Sequence, residues 1–255
     1  MSDSRVLAGR VALVTGASRG LGRAMAVALA RAGADVTLTA RSKPDLEETA
    51  RLVEQAGGRA CVAPADVTVY AEIERAVEQA RTTLGRLDIV VNNSGKAIVK
   101  PLTEWSPGEW DELFRINVGG ALNGCRAAAA HLIAQRSGKV INVSSMLGAV
   151  GLSGYSVYSA TKGAIIALTR TLGVEWARHN IQVNAIAPGW FETDMSAPAF
   201  DSGDGRLAER LLRDVPARRR GRPEEIGPLA VYLASSASDF MTGQTLFLDG
   251  GHTAR

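Results

Sequence analysis

Seven short apolar runs punctuate the chain: Val11–Thr15, Asp35–Thr39, about Arg59 to Ala63, Leu87–Val91, Lys139–Val143, Ile181–Ala187 and Thr245–Leu248. They are short and rich in β-branched residues, the pattern of strands buried on both faces. Between them the apolar positions recur at helical spacing: up to Arg31, then Pro44 to Ala56, Val69 to Leu84, Pro107 to Arg115, Val118 to Gln135, Tyr158 to Arg178, and Pro223 to Ala234. Strands that alternate with helices about seven times predict an α/β fold, a doubly wound, seven-stranded parallel sheet with helices on both faces. No repeat or linker interrupts the pattern, so residues 1–255 are expected to form a single domain.

Composition narrows the partners. The 255 residues are 46% hydrophobic and carry a formal charge of only +3, with basic residues scattered apart from Arg218–Arg222. That leaves no long basic footprint for nucleic acid. Met1–Arg5 has no apolar leader and no apolar run approaches the roughly 18 residues of a membrane span, which predicts a soluble cytoplasmic protein with no membrane partner. Cys61 and Cys125 lie in apolar surroundings and are expected to be buried, reduced thiols. His131, His179 and His252 are far apart, so no metal site is expected.

Candidate chemistry falls at the carboxyl ends of the strands, the edge where open α/β sheets bind ligands. Gly16-Ala-Ser-Arg-Gly-Leu-Gly22 joins the first strand to the first helix. Such a turn lets a pyrophosphate approach the helix amino terminus, a Rossmann-type arrangement. After the second strand comes Ala40-Arg41, with no carboxylate to bond both ribose hydroxyls; arginine suits a 2'-phosphate. Asp66-Val67 follow the third strand, and Asp66 also reads as a helix cap. Asn92-Asn-Ser-Gly95 closes the fourth strand, and Asn117 falls at a helix junction, where an Asn is usually exposed or kinking. Ser145 follows the fifth strand. Tyr158 and Lys162, four positions apart, share one helix face, which places an ammonium beside a phenol and would lower its pKa. The same spacing also arises by chance, with the lysine reaching to water. Pro188-Gly189 ends the sixth strand, Trp190–Met195 projects over the same edge, and the small and polar residues 196–205 read as a mobile lid.

Taken in order, Thr15–Gly22, Asn92–Gly95, Ser145, Tyr158-xxx-Lys162, Pro188-Gly189 and Asp249-Gly-Gly251 resemble the short-chain dehydrogenase/reductase family over nearly the whole chain. Asn-Asn-Ser-Gly stands where the family usually has Asn-Asn-Ala-Gly. The resemblance implies a catalytic tetrad of Asn117, Ser145, Tyr158 and Lys162, with Asn117 supporting a water chain to Lys162. It also implies cofactor contacts from Gly16, Ser18, Arg19, Leu21, Asp66, Val67, Asn93, Tyr158, Lys162, Pro188 and Thr193. With Arg41 and Arg19 beside one ribose, the expected cofactor is NADP(H) in preference to NAD(H). The expected reaction is hydride transfer between nicotinamide and a small-molecule carbonyl or alcohol. By similarity to 3-oxoacyl-carrier-protein reductases the substrate is a 3-oxoacyl thioester or ketone; the alternative is a sugar acid or polyol, as for gluconate 5-dehydrogenases. A catalytically idle dinucleotide-binding scaffold is the rival from another class, and its expected mark would be a broken tetrad. The resemblance further implies a homotetramer, with contacts near Ala127 and Ala164 and through the last strand and helix.

Overall fold

The computed structural model describes residues 5–201 and 205–254. Met1–Ser4 and part of the expected lid, 202–204, lie outside them. Seven parallel strands, β1 (Val11–Thr15), β2 (Asp35–Thr39), β3 (Ala60–Val62), β4 (Ile89–Asn92), β5 (Gly138–Val143), β6 (Ile181–Pro188) and β7 (Thr245–Leu248), form one sheet in the order β3-β2-β1-β4-β5-β6-β7. The order reverses between β1 and β4, which opens a crevice at the carboxyl ends of these neighbours.

Side-chain alternation along each strand explains the two layers of helix. Ala12, Val14, Ile89 and Val91 point to a core shared with α1 (Gly20–Arg31), α2 (Lys43–Gln55) and α9 (Gly227–Ala234), through Met25, Leu29, Leu46, Val53 and Leu233. Leu13, Val90 and Val140 point the other way, to α3 (Tyr70–Leu84), α5 (Gly120–Gln135) and α6 (Ser156–Ala177), through Ile73, Val77, Leu132 and Trp176. Period-two geometry thus serves a core on each side of one sheet, which is why even polar strand residues such as Thr37 and Asn142 are buried.

Three local features differ from the sequence expectation. The helix carrying Tyr158 begins at Ser156, so the tyrosine lies in its first turn. The junction between α4 (Pro107–Phe114) and α5 is not a break but a π-helical turn, Arg115–Gly119, and Asn117 within it is buried. The expected lid holds a short helix, α7 (Ala197–Phe200), and α8 (Arg206–Arg213) follows it.

A buried polar ladder ties the centre of the sheet to α6. Asn92 Nδ2 donates to Asn142 Oδ1 at 2.9 Å, and Asn142 Nδ2 donates to Thr169 Oγ1 at 3.0 Å. Both cysteines are buried and free, and burial pushes the Cys125 thiol up to about 12. Among the described residues no helix is long and apolar enough to cross a membrane.

Candidate active site

Tyr158 and Lys162 belong to the buried stripe of α6, which runs Tyr158, Thr161, Lys162, Ile165, Ile166, Thr169 at helical spacing. The stripe lies against the end of β5. Ser144 Oγ donates to the Lys162 carbonyl at 2.8 Å, and a Cβ at Gly148 would come within 2.8 Å of the Lys162 backbone. These close approaches fix Ser145, Tyr158 and Lys162 relative to one another.

Ser145 and Tyr158 are joined by a side-chain hydrogen bond. Lys162 Nζ donates to the Val143 carbonyl at 2.9 Å and sits 5.7 Å from the Tyr158 ring centroid. Here the structure corrects the sequence reading. Burial pushes the Tyr158 phenol up to about 12, only partly opposed by the Ser145 hydrogen bond, and Lys162 is not among the causes. Burial also brings the Lys162 ammonium down to about 8. The ammonium is turned to a backbone carbonyl, and desolvation outweighs its attraction for a phenolate.

Asn117 completes the group through the π-turn, which rotates its side chain inward; such turns often mark functional positions. Its Oδ1 accepts from Lys96 N–H at 2.8 Å, and its Nδ2 donates to Lys96 O at 2.9 Å and to Thr161 Oγ1 at 3.0 Å. Between them passes Gly95, where a Cβ would stand 3.2 Å from Asn117 Oδ1 and 3.4 Å from Lys162 Nζ. All four tetrad positions therefore converge on one spot.

The neighbouring crevice fits a dinucleotide on two observations. Gly16 has φ +66°, and a Cβ at Gly22 would stand 2.1 Å from the Gly16 carbonyl, so only glycines admit this turn. The α1 amino terminus has no side-chain cap and no acid in its first turn, which leaves its positive end for an anion. Asn93 braces the turn: its Nδ2 donates to Thr15 O at 3.0 Å and to Gly16 O at 3.2 Å. Thr193 leans over the turn, 3.5 Å from a Cβ at Gly20. Ser18 and Leu21 lie on the turn and Pro188 is buried at the end of β6.

On the adenosine side, Arg41 is exposed and near enough to help hold the Asp66 carboxyl below its usual range, although the backbone hydrogen bond from Thr68 is the larger cause. Asp66 makes the local cap that its position also allowed, accepting from Thr68 N–H at 2.8 Å. Val67 is buried against α5, its carbonyl accepting from Asn123 at 2.8 Å. Arg19 is not free: it pairs with Asp194 at 3.2 Å, both side chains exposed.

Sequence reasoning placed Trp190 over this edge but singled out neither Tyr155 nor Phe200 in the opposite wall. Tyr155 stands edge-on to Tyr158 and to Trp190, each at 6.1 Å between centroids, and Trp190 stands edge-on to Phe200 at 5.4 Å. Tyr155 could have been noticed three positions before Tyr158, on the same helical face.

Comparison with known proteins agrees with this geometry. A family model described as enoyl-(acyl carrier protein) reductase matches residues 16–253. The chain is 38% identical to 5-keto-D-gluconate 5-reductase of Escherichia coli over 98% of both chains. The chain belongs to the short-chain dehydrogenase/reductase family. It is therefore an oxidoreductase that moves hydride between a nicotinamide dinucleotide and a CH–OH or carbonyl group. It is also 35% identical to a 3-oxoacyl-acyl-carrier-protein reductase of Thermotoga maritima, over 96% of this chain and 98% of that one. Among solved structures, a gluconate 5-dehydrogenase from Burkholderia cenocepacia in complex with NADP and tartrate superimposes with a TM-score of 0.94, at 38% identity and full coverage of both chains.

Proposed function

We propose that the chain is an NADP(H)-dependent dehydrogenase of a keto sugar acid, of the gluconate 5-dehydrogenase kind. The observation that carries this reading is full-length likeness to proteins bearing that name, one of them solved with NADP and a hydroxy acid. It reverses the order of the two substrate classes expected from sequence.

Tyr158 gives its proton to the carbonyl oxygen in reduction and recovers it in oxidation. A phenol held at about 12 keeps its proton at neutral pH, so the free chain is poised to reduce. Ser145, already bonded to Tyr158, donates to the same oxygen. Lys162 would hold the nicotinamide ribose, and Asn117 would support a water chain to it while holding the Gly95–Lys96 segment in place. Bound, the dinucleotide supplies or accepts the hydride. Gly16, Ser18, Leu21 and Asn93 with the α1 amino terminus would hold its pyrophosphate side, and Asp66, Val67, Pro188 and Thr193 would contact the rest of it.

Arg41, with no acid beside it at Ala40, supports a preference for the 2'-phosphate. Arg19 joins it by leaving Asp194, an exposed pair that costs little to break. The parent is expected to favour NADPH over NADH by roughly tenfold or more in kcat/KM, since one charge-assisted hydrogen bond is worth that much. Ala40→Asp and Arg41→Ala should both lose the bias, and a parent that prefers NADH would refute it.

A second reading, reduction of a 3-oxoacyl thioester, is favoured by the apolar wall of Tyr155, Trp190 and Phe200. NADPH oxidation with 5-keto-D-gluconate, a 3-oxoacyl thioester and a neutral cyclic diketone separates the two. Turnover of the keto acid is expected; turnover confined to the thioester would select the second reading.

Assembly as a homotetramer accounts for apolar side chains left in water. Val174 on α6 is 81% exposed and Phe240 ahead of β7 is fully exposed, on the two faces expected to make contacts. Sedimentation at micromolar concentration should give a tetramer, and a monomer would end this reading. With no long apolar helix among the described residues, we place the enzyme in the cytoplasm.

A further inference from the structure

The aromatic wall does not end at Phe200: the Arg220 guanidinium carbon lies over that ring, 4.8 Å from its centroid. A train of edge-to-face contacts thus runs from the catalytic tyrosine through Tyr155, Trp190 and Phe200 to a cation. We propose that Arg220 is a specificity residue that receives the carboxylate of the substrate in this cleft. The proposal rests on the sugar-acid reading above and names the group that would select such substrates.

The neighbouring arginines are otherwise engaged. Arg219 grips Glu225 with two hydrogen bonds of 2.7 Å, Arg218 donates to the Arg213 carbonyl at 2.7 Å, and the Arg222 side chain is 70% exposed. Arg220 alone turns toward the lid. Its side chain is 24% exposed, its ion partner Asp201 is 3.9 Å away and 63% exposed, and among the described residues its guanidinium donates no hydrogen bond. A long pair with an exposed carboxylate holds a guanidinium weakly. The donors that match a carboxylate in a planar fork therefore remain to be used.

Backbone contacts register Arg220 with the wall. Gly221 N–H donates to Trp190 O at 2.8 Å and Glu192 N–H to Gly221 O at 2.9 Å, a parallel bridge that locks the residue after Arg220 beside Phe191. A Cβ at Gly221 would come within 2.8 Å of the Phe191 ring, so the two segments cannot drift apart or admit a larger residue. In the same wall Trp190 Nε1 is buried without an acceptor among the described residues.

The surrounding field has the same sign. Residues 206–222 hold seven arginines against two acids, a net +5 where the whole chain has +3, so the rest of the molecule is net negative. On α8, Arg206, Arg210 and Arg213 are all exposed and recur at the spacing of one helical face. A positive rim on a negative body draws anions to this mouth and speeds their capture.

The test compares the parent with Arg220→Gln and Arg220→Lys. We would measure kcat/KM with NADPH for 5-keto-D-gluconate and for a neutral cyclic diketone, and the affinity of D-gluconate for the NADP-loaded enzyme by calorimetry. Arg220→Gln should weaken D-gluconate binding and raise KM for the keto acid by on the order of tenfold to a hundredfold, the range of one or two hydrogen bonds to a charged group. The loss should exceed that for the diketone at least tenfold, and Arg220→Lys should recover part of it by restoring the charge without the fork. Equal losses on both substrates would make Arg220 a lid support and overturn the proposal. So would a loss seen only with a thioester carried on an acidic protein. A parent active on the keto acid whose Arg220→Gln variant loses nothing removes the proposal alone; a parent that neither reduces nor binds the carboxylate removes it together with the sugar-acid reading.

Discussion

Tyr158→Phe is expected to lower kcat roughly a thousandfold, within the range that a positioned acid–base group contributes, while NADPH affinity stays within about twofold. The reason is local. The ring keeps its edge-on packing against Tyr155, and only the hydroxyl, with its hydrogen bond to Ser145, is lost. Neither neighbour takes its place: the Tyr155 ring lies 6.1 Å from that of Tyr158 between centroids, and Ser145 can donate a hydrogen bond but does not titrate in this range. Stopped-flow turnover alongside NADPH fluorescence titration separates the two effects. A variant with near-normal kcat would remove Tyr158 from the chemistry. If affinity fell with rate, the phenol would be a binding group instead. The direction of the pKa adds a second readout. With the phenol near 12, reduction by the parent should hold steady through neutral pH, whereas oxidation, which needs the phenolate, should climb as pH rises toward that value.

The parts of this site that sequence reveals are those written as local patterns. The strands β1, β4, β5 and β6 are legible because strands buried on both faces are short runs rich in apolar and β-branched residues. Each candidate then follows a strand end, and the sheet order delivers Gly16, Asn93, Ser145 and Pro188 to one crevice without further instruction. What escapes the sequence is set by contacts between distant segments. The direction of the Lys162 ammonium depends on the Val143 carbonyl, nineteen positions away, and so the spacing of Tyr158 and Lys162 alone gave the wrong sign for the phenol. The inward turn of Asn117 depends on a π-helical register that has no signature in composition. α8 was hidden by its polarity: Leu207 and Leu211 make an apolar stripe too short to stand out among arginines, and of the two only Leu211 is buried. Nothing in Arg218-Arg-Arg-Gly-Arg222 distinguishes the arginine that faces Phe200.

Lys162→Met is expected to abolish turnover and at the same time make the protein harder to unfold near neutral pH. The wild-type ammonium is buried with one carbonyl for company, and burial lowers its pKa from 10.5 to about 8. Below pH 8 the amine is protonated in both folded and unfolded chains, and the folded state bears the full cost of the buried charge, about 3 kcal/mol for a shift of this size. Between pH 8 and 10.5 the unfolded chain holds more protons than the folded one, so this cost fades as pH rises and is gone above the upper value. Methionine carries no charge and fills similar volume, but it leaves the Val143 carbonyl without its donor, at a cost of about 1 kcal/mol. The balance is a gain of roughly 2 kcal/mol at pH 7, or about 4 to 8 °C in Tm for a chain of this size, and a small loss at pH 10. Thermal unfolding of parent and variant at both pH values checks the sign change. A variant that unfolds more readily at pH 7, or a difference that does not vary with pH, would mean that the ammonium is stabilised where it lies. Loss of turnover alone would not distinguish these cases, since both the proposed ribose contact and the charge beside Tyr158 disappear with the amine. A gain in stability together with that loss would mark Lys162 as a residue kept against the interest of the fold, held in a dry site for its chemistry.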